Sequence, residues 1–110
     1  SMAEGKGDGE AVAALEEIIR LDPLDGDALL LLGQHYAKDN QPDKAIFHYE
    51  RAESIEAFEA NARIRHAQVL ITLSRYDEAL KLLRRAQEIR PREDIARYIE
   101  QVERIAKSKR

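Results

Sequence analysis

The chain has no cysteine and no tryptophan. Without cysteine there is no disulfide framework, no thiolate zinc site and no cysteine nucleophile. The absence says little about compartment, because disulfide-free proteins occur everywhere. Three prolines, five glycines, four tyrosines and two phenylalanines are the other sparse classes. With strand formers also scarce, the composition favours helix. No apolar run approaches the ~20 residues that a membrane-spanning helix needs. Charge is nearly balanced: 18 basic and 21 acidic side chains leave −3, too little to imply nucleic acid by itself. No signal peptide is visible, and Ser1 and Met2 read as a cloning remnant. The compartment stays open, with a soluble cytoplasmic setting favoured.

What is present is helical and charged. The 110 residues are 44% hydrophobic and 35% charged, which suits one folded domain rather than a disordered chain. A chain of this size buries roughly two thirds of its unfolded surface.

The stretch DKAIFHYERAESIEA (Asp43 to Ala57) is echoed 34 positions later by DEALKLLRRAQEIRP (Asp77 to Pro91). Shifted back by the same step, it lands on GEAVAALEEIIRLDP (Gly9 to Pro23). Four columns keep apolar type: Ala11/Ala45/Ala79, Leu15/Tyr49/Leu83, Ile18/Ala52/Ala86 and Leu21/Ile55/Ile89. Their spacing places them on one helical face. Between these blocks run GDALLLLGQHYAKDN (Gly26 to Asn40) and its equivalent ANARIRHAQVLITLS (Ala60 to Ser74). Asp25 is a plausible N-cap there. Gly33 and Ala67 share a column, and a mid-helix Gly at about 1 kcal/mol relative to Ala calls for close helix approach.

The pattern resembles the tetratricopeptide repeat (TPR). Leu32, Gly33, Tyr36, Ala45, Tyr49, Ala52 and Ala57 carry the signature in one copy; Ala67, Leu70, Ala79, Leu83, Ala86 and Pro91 carry it in the next. The resemblance covers Ala11 to Pro91 and implies an all-α helix-turn-helix repeat stack, an α-solenoid, with a C-terminal capping helix. There are departures. Arg63 and His66 stand where Leu29 and Leu32 do, and Ala57 replaces the usual Pro.

Six helices are expected: Glu10 to Leu21, Asp27 to Lys38, Pro42 to Ser54, Ala60 to Leu73, Tyr76 to Ile89 and Glu93 to Lys107. Residues 1–9 read as a flexible Gly-rich tail, 10–25 as a half repeat, 26–59 and 60–92 as repeats, 93–107 as the cap and 108–110 as a basic tail. The half repeat is expected to reflect a cut from a longer array, or else a native start cap. Either way, Val12, Leu15, Ile18 and Ile19 form an edge expected to lack a cover and to drive self-association as a homodimer.

The first helix of each repeat lines the concave side of such a stack. The candidate partner-binding groove there is Leu30, Leu31, Gln34 and Lys38 with Asn61, Ile64, Arg65, Gln68, Ile71 and Thr72. The apolar members offer contact, the amides can bond a peptide backbone, and Lys38 and Arg65 can pair with carboxylates. Packing of the apolar members between helices is the competing reading. Some tetratricopeptide domains clamp a C-terminal carboxylate with Lys, Asn and Arg on three first helices. Arg65 matches that arginine column, but Leu31 stands where the Asn is needed, so the clamp is not expected.

No catalytic or metal constellation emerges. His35, His48 and His66 have no histidine partner three or four residues away. No GxSxG elbow is present, and Gly5, Gly7 and Gly9 precede no strand. Arg84 with Arg85 and the run Arg104 to Arg110 lack interleaved aromatics, so base stacking has no platform. The expectation is a non-enzymatic scaffold that binds a protein or peptide partner, without cofactor, metal, nucleic acid or membrane span. Self-assembly through the N-terminal edge is the alternative.

Overall fold

Ala45 and Ala79, one repeat apart, are both fully buried, and so are the column mates Ala52 and Ala86. Burial of such small side chains means that backbones approach closely at these points. The computed structural model describes residues 2–109, with side chains from Gly9 onward. It contains α1 (Met2–Leu21), α2 (Gly26–Lys38), α3 (Pro42–Glu53), α4 (Glu59–Thr72), α5 (Tyr76–Ile89) and α6 (Glu93–Ser108). A 3₁₀ turn, Glu56–Phe58, precedes α4. No strand occurs among the described residues. Each helix packs chiefly on the next one in sequence, which gives an elongated body of 41 × 33 × 20 Å. This is the all-helical repeat stack that the period demanded.

The boundaries follow local chemistry. Asp25 caps α2, its carboxylate accepting from Ala28 N at 3.0 Å. Pro42 opens α3 at a position where its missing N–H costs nothing. Asn40 and Ser74, separated by the 34-residue period, both take positive φ, 57° and 60°. After each, the next amide reaches back over the turn: Gln41 N to Tyr36 O at 2.8 Å and Arg75 N to Leu70 O at 2.9 Å. The same left-handed C-terminal closure therefore ends the first helix of both repeats. Where no Pro breaks the chain, the 3₁₀ turn provides the bend before α4.

One expected boundary is corrected. Residues 2–9, expected to be a flexible tail, continue α1 backwards to Met2. At the other end Ser108 closes α6, while Arg110 of the expected basic tail lies outside the described residues.

Two apolar clusters run along the stack. The first joins Leu29, Leu32, Ala45, Tyr49 and Ala52; the second joins Ala67, Leu70, Leu83, Ala86, Ile95 and Val102. Ile46 touches both. The outermost helix, α6, buries Ile95, Val102 and Ala106 and turns Arg97, Glu100, Gln101 and Arg104 to solvent. At the small column the two repeats solve one volume problem in two ways. A methyl on Gly33 would overlap the Tyr49 ring, whereas the equivalent pair is Ala67 with Leu83.

The polar departures are paired. His66 is 9% exposed, and its Nδ1 lies 3.0 Å from Glu53 Oε2. Arg63 approaches the other oxygen of Glu53 at 3.5 Å and donates from Nε to Glu59 at 2.9 Å. Glu53, its side chain 8% exposed, thus answers both residues that replaced Leu29 and Leu32.

Three outcomes follow. Gly33→Ala should cost about 2 kcal/mol by overpacking, and adding Tyr49→Leu should recover most of it, as read by urea denaturation. Ser74→Gly should stabilise by about 1 kcal/mol, seen as a raised Tm, because glycine adopts positive φ without the Cβ penalty. Glu53→Gln should cost about 1–3 kcal/mol in the same denaturation assay, because His66 and Arg63 lose a carboxylate in a mostly buried setting.

Candidate functional site

The spine of the concave face is α4. Asn61, Arg65, Gln68 and Thr72 follow one another at helical spacing, and all remain at least partly open to solvent. A cleft of about 380 Å³ separates this spine from α2, lined by Gln34, Lys38, Tyr49, Arg65, Gln68 and Leu73 among others. Arg65 also borders a hollow of about 400 Å³ with Asn61, Arg90 and Arg92. Gln68 borders a third, about 330 Å³, with Arg97, Tyr98 and Gln101 of α6. The shared residues link the three hollows into one trough across α2, α4 and α6. A larger hollow of about 620 Å³ between α1 and α2 meets the trough at Lys38.

Within the trough, Arg65 Nε donates to Asn61 Oδ1 at 3.2 Å, which holds the guanidinium over the spine. Burial pushes the Tyr49 hydroxyl up from its ordinary range, while the neighbouring Arg65 pulls it back. Burial likewise raises Tyr98. Both therefore stay neutral hydrogen-bonding groups at physiological pH. Lys38, Arg65, Arg90 and Arg97 form no ion pair with a carboxylate of the described residues. By contrast Arg92 is held by Asp94 at 2.7 Å. A wall rich in amides, with cations free of ion pairs among the described residues, can hold a peptide backbone and acidic side chains.

The expected groove residues divide. Leu31, 47% exposed, and Gln34, Lys38, Asn61, Arg65, Gln68 and Thr72 are accessible. Leu30, 9% exposed, is corrected: it packs inside the first apolar cluster. Ile64, also 9% exposed, packs in the second cluster and still lines the hollow shared by Asn61 and Arg65. Ile71, half buried, packs against the second cluster. These three sit where the trough face turns into the seam between repeats, and apolar side chains there gain more from the seam. Tyr49, Leu73, Arg90, Arg97, Tyr98 and Gln101 were missed. Only the packing of α6 on α5 brings the last three to the hollow that Gln68 of α4 also lines, and no local pattern announces that.

The N-terminal edge is corrected as well. Ile19 is 8% exposed, and Val12 and Leu15 pack with it against the cluster that α2 shares. Ile18 alone stays open at 41%, where its column mates Ala52 and Ala86 are at 0% and 1%. No group of three or more metal-ligating side chains occurs among the described residues, and no helix there is long and apolar enough to cross a membrane.

The stacked pairs, their common turn and the repeated small-residue column define a tetratricopeptide-type repeat protein. Residues 9–99 match the model of the family described as anaphase-promoting complex, cyclosome, subunit 3, and the chain belongs to that TPR-type family. Among solved structures it is similar to a thermophilic TPR protein of Thermus thermophilus, with a TM-score of 0.80 and 26% identity. That match covers 93% of this chain and 53% of the other, so the chain spans about half the length of its structural relative. No curated protein matches significantly. Folds of this type generally mediate protein–protein interaction, and such families are typically non-enzymatic scaffolds.

Proposed function

We propose that the chain is a protein-interaction scaffold whose concave trough docks a peptide or helix of a partner. The observation that carries this reading is the continuity of the trough across α2, α4 and α6, with Arg65 and Gln68 common to adjacent hollows. The cations Lys38, Arg65, Arg90 and Arg97, which form no ion pair among the described residues, favour a partner segment bearing carboxylates. Gln34, Asn61, Gln68 and Gln101 supply donors and acceptors for its backbone. Leu73 and Tyr98 supply apolar contact at the walls, and Leu31, about one turn before Gln34 on α2, is exposed.

The test is a peptide panel of equal length and graded charge, read by fluorescence anisotropy. Acidic peptides should bind, and Arg65→Glu should weaken them by at least about tenfold, the scale of a lost charge-assisted contact. Lys81→Glu, on the outer surface of α5, should leave binding unchanged. Equal binding by basic peptides, or chemical-shift changes confined to α3 and α5, would overturn the reading.

A further inference from the structure

The outer surface of α3 carries a stripe that the repeat does not require. Phe47 is 56% exposed, and Lys44 and Arg51 flank it at i−3 and i+4. The Arg51 guanidinium lies 5.8 Å from the Phe47 ring centroid, and the Lys44 ammonium lies 5.4 Å from that of Tyr36. Neither cation forms an ion pair with a carboxylate of the described residues. One repeat earlier, on α1, the same columns hold Glu10, Ala13 and Glu17; one repeat later they hold Glu78, Lys81 and Arg85. An exposed aromatic is therefore no part of the packing code at this column.

The α1 stripe is the complement of the α3 stripe. Glu10 and Glu17 are spaced like Lys44 and Arg51, with small Ala13 where α3 has Phe47 and small Ala14 where it has His48. All four α1 residues are exposed. Two short connections make α1 and α3 run the same way. Tyr36 bridges them side by side, its hydroxyl donating to Glu16 at 2.7 Å and its ring meeting Lys44 and His48.

We infer that this outer face binds a second copy of the chain in a back-to-back, twofold-symmetric dimer, independently of what occupies the trough. A twofold axis parallel to α1 and α3, and midway between them, lays α1 of each copy on α3 of the other. Because the facing helices are repeat equivalents, Glu10 then meets Lys44, Glu17 meets Arg51, and Phe47 settles on Ala13 and Ala14. Each contact occurs twice. Turning the axis by 90° sets Phe47 on Phe47 and like charges on like, which repulsion disfavours. Glu17 already holds Arg20 at 2.6 Å, but that pair is exposed and contributes little, so its carboxylate can also accept from Arg51. Glu50 equates with Glu16, which is engaged by Tyr36. The charges fix partner and register, while Phe47 supplies the apolar burial.

Sedimentation equilibrium of the full chain over a concentration series tests the dimer. The native chain should associate, and more weakly as salt rises. Lys44→Glu with Arg51→Glu, and separately Glu10→Lys with Glu17→Lys, should each weaken association by at least about tenfold with helical content unchanged. Mixed one to one, the two double variants should associate again, since each then presents what the other lacks. Arg65→Glu should leave the dimer intact. A native chain monomeric throughout, or a mixture that fails to associate, would overturn the proposal. So would a dimer indifferent to both reversals but lost on Ile18→Glu, since that places the contact on the α1 edge.

Discussion

The structure depends on how closely two helices can approach where one presents a glycine or alanine. At Gly33 the first helix of a repeat comes so near its partner that a single methyl would enter the Tyr49 ring. One repeat later the equivalent residues, Ala67 and Leu83, are both fully buried in the second cluster. Each pair fills the same gap with a different division of volume. The fully buried alanines at 45, 52 and 79 do the same on the second helices. Close approach makes the pairs flat-sided, flat-sided pairs can stack, and stacking buries apolar faces that a lone pair would leave wet. The trough is a consequence. Once the small residues set the seams, the remaining faces of α2, α4 and α6 line one side.

The second repeat shows how far this scheme tolerates polar residues. Arg63 and His66 replace two leucines without leaving an orphaned polar atom among the described residues, because Glu53 and Glu59 are placed to receive them. Such a network gives up some apolar burial and gains a directional constraint between α3 and α4.

Much of this was legible in the sequence, for a definite reason. Residues that pack at the seams recur at helical spacing within a repeat and at a fixed period between repeats, so Ala45, Tyr49, Ala79 and Leu83 declare themselves. The closing turns could have been read too, since Asn40 and Ser74 lie one period apart, although Ser gives little hint of positive φ. Margins were harder. Leu30 and Ile64 lie where groove and seam meet, and only three-dimensional neighbours decide between them. Glu53 is 13 residues from His66, beyond any local pattern. The N-terminal edge was misread because α1 turns Val12, Leu15 and Ile19 towards α2 and leaves Ile18 on the other side. In the trough, the residues of α4 were visible as the non-packing positions of a first helix. Those of α6 were not, because that helix was read only as a cap.

Proton NMR on the isotopically labelled chain tests the close approach most directly. The account predicts cross-relaxation from the Gly33 Hα protons to the Tyr49 ring, with upfield ring-current shifts at Gly33, and matching methyl contacts between Ala67 and Leu83. A solvent-exposed Tyr49 ring without contact to Gly33, or Ala67 and Leu83 methyls in unrelated environments, would contradict it.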